Sequence, residues 1–150
     1  GTENIPGILG FAKAAELAGA SLDQHIEKLS RLRDKLRDGI MNNISDAKYN
    51  GHPVLRHPGN VNICFKYIEG ESLLLLLDMK GICASSGSAC TSGSLDPSHV
   101  LMNIGLTHEI AHGSLRLTLG DFTTEQDVDT VIEEIKPIVE RLREMSPLTE

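Results

Sequence analysis

Between Ser85 and Ser94 the chain runs Ser-Ser-Gly-Ser-Ala-Cys-Thr-Ser-Gly-Ser, a segment with almost no side-chain volume and one cysteine, Cys90, near its middle. Such a run cannot build a core, and Gly87 and Gly93 admit left-handed backbone at little cost. The core must therefore come from the segments on either side, and Cys90 is expected on an exposed, mobile loop. Gly81-Ile82-Cys83-Ala84 before it reads as a short apolar strand, and Leu95 to Leu101 after it reads as a helix start with Pro97 in the first turn. A linker between domains would not sit between two tightly specified elements of one small domain. A thiol on such a tether can approach a reaction centre, accept a group and swing away.

The remaining elements follow from periodicity. Ile5, Ile8, Leu9 and Phe11 fall at helical spacing. A second helical stripe has Leu22, Ile26, Leu29, Leu32, Leu36 and Ile40, with Ser21 and Gln24 placed as a capping box. Gly51, Pro53, Pro58 and Gly59 separate a strand near Ile44 to Lys48 from one over Asn60 to Tyr67. Glu71 to Lys80, with its leucine run Leu73 to Leu77, predicts a buried helix stopped by Gly81. A short helix follows over Ser98 to Ile104, then a turn or helix near His108 and a strand over Ser114 to Leu119. Thr123 and Gln126 are placed to cap a last helix with Val128, Val131, Ile132, Ile135, Val139 and Leu142 facing inward and Pro137 bending it. Few strands interleaved with helices, without internal repeats, predict an α/β fold with a small sheet covered by helices.

A length of 150 residues suits one domain or part of a larger protein. The net charge of −7, pI near 5.3 and scarcity of aromatic residues argue against nucleic acid as a partner. No apolar run reaches the length of a membrane span. Three cysteines at irregular spacing fit a reducing, cytoplasmic compartment rather than a disulfide framework. Cys64 and Cys83, each inside an apolar run, are expected to be buried and inert.

Two other features carry chemistry. His108-Glu109-Ile110-Ala111-His112 matches the zinc signature in which two histidines one turn apart bind metal and the glutamate acts as base. Gly105 and Gly113 leave about two turns of helix for it, and no later histidine or cysteine offers a third ligand. Arg116 interrupts the apolar strand Ser114 to Leu119. It either pairs with a surface acid at a sheet edge, the simpler reading of the residues alone, or meets an anion, for which its planar fork suits a carboxylate.

Taken together, Ser85 to Gly93, Leu95-Asp96-Pro97-Ser98, Glu109 to Leu117 and Leu119-Gly120-Asp121-Phe122-Thr123-Thr124-Glu125 closely resemble the cysteine desulfurases of the NifS and IscS type. These are class V aminotransferases, pyridoxal-phosphate enzymes of fold type I. Gly1-Thr2 and Asn60-Val61-Asn62-Ile63 also fit, so the resemblance spans nearly the whole chain. It implies a PLP-dependent desulfurase that removes sulfur from L-cysteine, leaving L-alanine and a persulfide on Cys90 for iron–sulfur cluster assembly. It further implies that Cys90 is catalytic, that Arg116 holds the substrate carboxylate, and that Thr2 reaches the cofactor phosphate of a partner subunit in a homodimer. An iron–sulfur scaffold protein would accept the sulfur.

None of Lys13, Lys28, Lys35, Lys48, Lys66, Lys80 or Lys136 lies in the family's Schiff-base context. Residues 1–150 are therefore expected to be the C-terminal small domain with its linking helix, inactive without the large PLP-binding domain. A non-catalytic sulfur-carrying or scaffold-docking module and, more remotely, a zinc hydrolase are the competing readings.

Overall fold

The computed structural model describes residues 1–87 and 97–147. A long helix, α1 (Ile5–Asn43), leads into β1 (Ala47–Tyr49) and β2 (Asn60–Phe65), then α2 (Gly70–Asp78), α3 (His99–Asn103), α4 (His108–His112), β3 (Ser114–Thr118) and α5 (Glu125–Met145). The three strands form one antiparallel sheet in the order β1-β2-β3. The architecture is α/β with a small sheet covered by helices, as the pattern predicted.

The register sorts the sheet into two faces. Tyr49 opposite Ile63, and Ile63 opposite Leu115, place these residues on one face, together with Val61, Leu117 and Phe65. That face packs on Leu29, Leu32, Leu36 and Ile40 of α1, Leu73 and Leu77 of α2, and Val128, Ile135 and Val139 of α5. The other face carries Lys48, Asn60, Asn62, Cys64, Ser114, Arg116 and Thr118. Cys64 forms a second, smaller cluster there with Leu101 of α3, Leu106 of the α3–α4 connection and Ala111 of α4.

Several boundaries differ from the sequence reading for local reasons. The two N-terminal helices are one helix of 39 residues. No capping box forms at Ser21; its hydroxyl donates back to the Leu17 carbonyl at 3.1 Å inside the continuous helix. Asn4 supplies the real cap, its side chain accepting from the Gly7 amide at 3.1 Å. The first strand begins later, at Ala47, because Asp46 takes a φ of 50°, and β2 ends before Tyr67, which takes a φ of 68°. Gly81 to Ala84 makes no strand; only Ser85 bridges to the sheet. Pro97 precedes α3 instead of sitting in its first turn. The capping box of α5 lies one residue later than expected, on Thr124 and Asp127, with Thr124 N–H donating to Asp127 at 2.8 Å and Asp127 N–H to Thr124 at 3.1 Å. The helix runs on through Pro137, which is exposed.

Candidate functional site

Arg116 sits at the centre of β3, opposite Asn62 of β2. Leu115 and Leu117 turn into the core, so strand alternation sends the guanidinium to the polar face, where it is partly buried. On its other side, Arg116 exchanges two backbone hydrogen bonds with Ser85, accepting from the Ser85 amide at 3.1 Å and donating to the Ser85 carbonyl at 2.7 Å. The surface ion pair favoured by the residues alone does not form: no acid pairs with Arg116 among the described residues. The half-buried guanidinium thus keeps its fork unspent, and its backbone is held on both sides; a planar fork of this kind matches the geometry of a carboxylate.

Ser85 also begins the small-residue segment. The described chain continues through Ser86 to Gly87, which takes a φ of 59°, and resumes at Pro97. Cys90 lies outside the described residues. The segment's root is closely packed: a Cβ on Gly70, at the start of α2, would collide with Ser86 Oγ and lie 2.8 Å from the Ser114 carbonyl and 3.0 Å from that of His112. Gly113 is similarly seated against the Phe65 carbonyl, and the Phe65 amide donates to the Gly113 carbonyl at 2.9 Å. Two glycines thus let α2 and the α4–β3 turn close around the strand that carries Arg116. Ser85, Asn62 and Gly70 were not singled out from sequence for this role. The alternation of Asn60 and Asn62 within an apolar strand was the available signal for the polar face.

The two described cysteines separate. Cys64 is buried and accepts from Asn50 Nδ2 at 3.1 Å, which also donates to Asn62 Oδ1 at 2.7 Å. Burial pushes its thiol up, with the Asn50 hydrogen bond opposing weakly, as befits an inert core group. Cys83, expected to be buried, is exposed. Ile82 and Ala84 on either side of it pack on the core, and Cys83 lines a groove of about 430 Å³ between the end of α2, β3 and the start of α5.

The histidine motif forms a single turn. Thr107 caps α4 by accepting from the Ile110 amide at 3.4 Å, and the His108 and His112 rings lie 4.7 Å apart. Ala111 between them is buried against Cys64, so the turn packs against the sheet. Among the described residues no three metal-ligating side chains gather.

Thr2 stands apart from this assembly. Every residue from Gly1 to Gln24 is exposed, including Ile5, Ile8, Leu9 and Phe11 on the first turns of α1. Leu29 is the first buried residue, and at 1.5 Å per residue Ile5 lies about 36 Å further along the axis. The fold therefore joins Arg116 to the root of the cysteine segment and leaves Thr2 distant from that root's packing.

Pyridoxal phosphate, which the resemblance implies, finds no complete site among these residues. Arg116 is flanked by Asn62 and Ser85, not by a lysine. Lys13, Lys35, Lys80 and Lys136 pair with Glu16, Asp129, Glu134 and Glu140, and Lys28 donates to the Asp121 carbonyl.

Residues 1–131 match the aminotransferase class-V family. The chain is 57% identical over 149 residues to the cysteine desulfurase IscS of Methanosarcina thermophila, covering 99% of this chain and 37% of that protein. It is 53% identical over 148 residues to cysteine desulfurase IscS 1 of Archaeoglobus fulgidus, covering 99% and 38%. Among solved structures, a NifS-like protein superposes with a TM-score of 0.79 at 32% identity over 95% of this chain and 35% of its own. A NifS-like protein from Rickettsia africae gives the same TM-score at 28% identity, covering 93% and 36%. The chain thus spans little more than a third of the length of these relatives, and it belongs to the class-V aminotransferase family.

Proposed function

We propose that this chain is the small-domain portion of a PLP-dependent cysteine desulfurase. The observation that carries the reading is the 57% identity to a cysteine desulfurase across 99% of the chain. The half-buried, acid-free Arg116, tied to the root of the cysteine segment, supports it. The large PLP-binding domain, with the lysine that holds the cofactor, is assigned to the part of the relatives' length that this chain does not span.

In this reading Arg116 takes the α-carboxylate of L-cysteine in a two-point grip, orienting the substrate sulfur toward Cys90. The overall transfer balances: L-cysteine and the Cys90 thiol give L-alanine and a Cys90 persulfide. The sulfur–carbon bond breaks, a sulfur–sulfur bond forms, and the hydrogens are conserved. The persulfide then passes to an iron–sulfur scaffold protein by attack of that protein's thiolate on the outer sulfur. Thr2, on its exposed helix, is assigned to the cofactor phosphate of the second subunit of a homodimer. The enzyme is placed in the cytoplasm; among the described residues no helix is long and apolar enough to cross a membrane.

The test is sulfide release from L-cysteine by the full natural protein, with reductant and pyridoxal phosphate, comparing wild type with Cys90→Ser. Release that disappears in the variant is expected. Release that persists removes Cys90 from the mechanism, and none from either protein returns the chain to a sulfur-carrying or docking module.

A further inference from the structure

The polar face of the sheet includes a buried side chain that is costly to keep. Asn50, the residue after β1, is only 4% exposed, and its Oδ1 is buried without a hydrogen-bond partner among the described residues. A buried acceptor left unsatisfied costs more than an apolar side chain of the same shape in its place. The other end of the amide is committed: Asn50 Nδ2 donates to Asn62 Oδ1 at 2.7 Å and to Cys64 Sγ at 3.1 Å. The Asn50 backbone amide donates to the Asn62 carbonyl at 2.9 Å, and Arg56 Nη1 donates to the Asn50 carbonyl at 3.0 Å. Asn50 is thereby held as a fixed donor aimed at Asn62.

Asn62 stands between Asn50 and Arg116. Strand β2 lies between β1 and β3, and Asn62 is directly opposite Arg116. Arg116 gives both of its backbone groups to Ser85, so it faces Asn62 in a non-hydrogen-bonded pair. Pairs of that kind bring side chains closer together than hydrogen-bonded ones, which makes Asn62 the nearer of the two cross-strand neighbours. Its amide oxygen is an acceptor that a guanidinium would take. The bond from Asn50 draws that oxygen to the β1 side of the strand, away from Arg116 on β3. The amide can then turn only its NH2 end toward Arg116, and a guanidinium has no acceptor for it. Among the described residues no hydrogen bond joins the Asn62 and Arg116 side chains.

We propose that Asn50 is a positioning residue for substrate binding: by engaging the Asn62 amide oxygen it keeps the Arg116 fork free for a carboxylate. The proposal rests on the desulfurase reading, in which that carboxylate belongs to L-cysteine. The test measures KM and kcat for sulfide release from L-cysteine by the full natural protein, with reductant and pyridoxal phosphate, together with its thermal midpoint. Asn50→Leu, close in size and without the unsatisfied acceptor, should hold or raise the midpoint while releasing the Asn62 oxygen to Arg116. KM should rise about three- to tenfold, the worth of one hydrogen bond, with kcat little changed. Adding Asn62→Ala removes the released acceptor and should return KM toward the wild-type value, which a merely structural role for Asn50 would not do. If Asn50→Leu does not fold, Asn62→Asp serves instead: it sets an acid opposite Arg116 and should raise KM at least about tenfold. An unchanged KM in Asn50→Leu or in Asn62→Asp, or a double variant no better than Asn50→Leu, overturns the proposal and leaves the desulfurase reading intact. No sulfide release from wild type overturns that reading and the proposal with it.

Discussion

Replacing Gly70 by alanine tests how the cysteine segment is joined to Arg116. The added methyl meets Ser86 Oγ, the Ser114 carbonyl at 2.8 Å and the His112 carbonyl at 3.0 Å. The two carbonyls belong to the α4–β3 turn, which Gly113 holds against β2, so they have little room to retreat. Overpacking of this kind costs about 1–3 kcal/mol. The gain in helix propensity on leaving glycine returns less than about 1 kcal/mol of that. A net loss of about 1–2 kcal/mol lowers the thermal midpoint of a domain this size by roughly 2–8 °C. The displaced Ser86 also pulls on Ser85, whose two hydrogen bonds set the Arg116 backbone, so KM for L-cysteine should rise in the full protein. The double variant Gly70→Ala/Ser86→Gly removes the worst contact and leaves the two carbonyls. It should recover part of both losses, with a coupling of at least about 0.5 kcal/mol between the sites. Strict additivity, or a Gly70→Ala protein with unchanged midpoint and KM, would refute the reasoning.

Arg116→Lys keeps the charge and the strand but loses the fork, which should lower kcat/KM for L-cysteine about 10- to 100-fold while circular dichroism stays unchanged. In native protein, iodoacetamide followed by peptide mapping should label Cys83 quickly and Cys64 only on unfolding. Because the folded Cys64 thiol is raised, the unfolded chain loses this proton first as pH climbs past about 8.5. Stability should then fall with rising pH, and Cys64→Ala should flatten that slope. Thr124→Ala should cost about 1 kcal/mol through loss of the α5 cap, seen as a lower thermal midpoint. The Thr124 backbone amide, and next its hydroxyl, hold the Asp127 carboxyl below its usual range. Its contribution is therefore present above the ordinary value near 3.9 and lost as pH falls through the folded one. Asp127→Asn should flatten the acid side of the stability profile.

What the sequence by itself determined was mostly local. Alternation in Asn60 to Phe65 and Ser114 to Thr118, the leucine run of α2, the stop at Gly81 and the stripe of α5 depend on neighbours within a turn or a strand, and they appear where periodicity puts them. The resemblance likewise rested on contiguous motifs, and from these alone it nominated Cys90, Arg116 and Thr2. Where a choice turned on small local differences, it went astray: Thr123 and Thr124 are both competent caps, and one residue decided the box. Ser21 looked like a helix start because a serine hydroxyl can cap or turn back on its own helix, and in α1 it turned back. The tertiary structure alone decided which distant residues meet. The three-stranded sheet left Ser85, not a surface acid, beside Arg116, so the guanidinium kept its fork. Cys83 was exposed because its neighbours Ile82 and Ala84 pack on the core and leave the residue between them to solvent. Asn50, Asn62 and Arg116 came side by side only when the three strands paired; no spacing along the chain encodes that encounter.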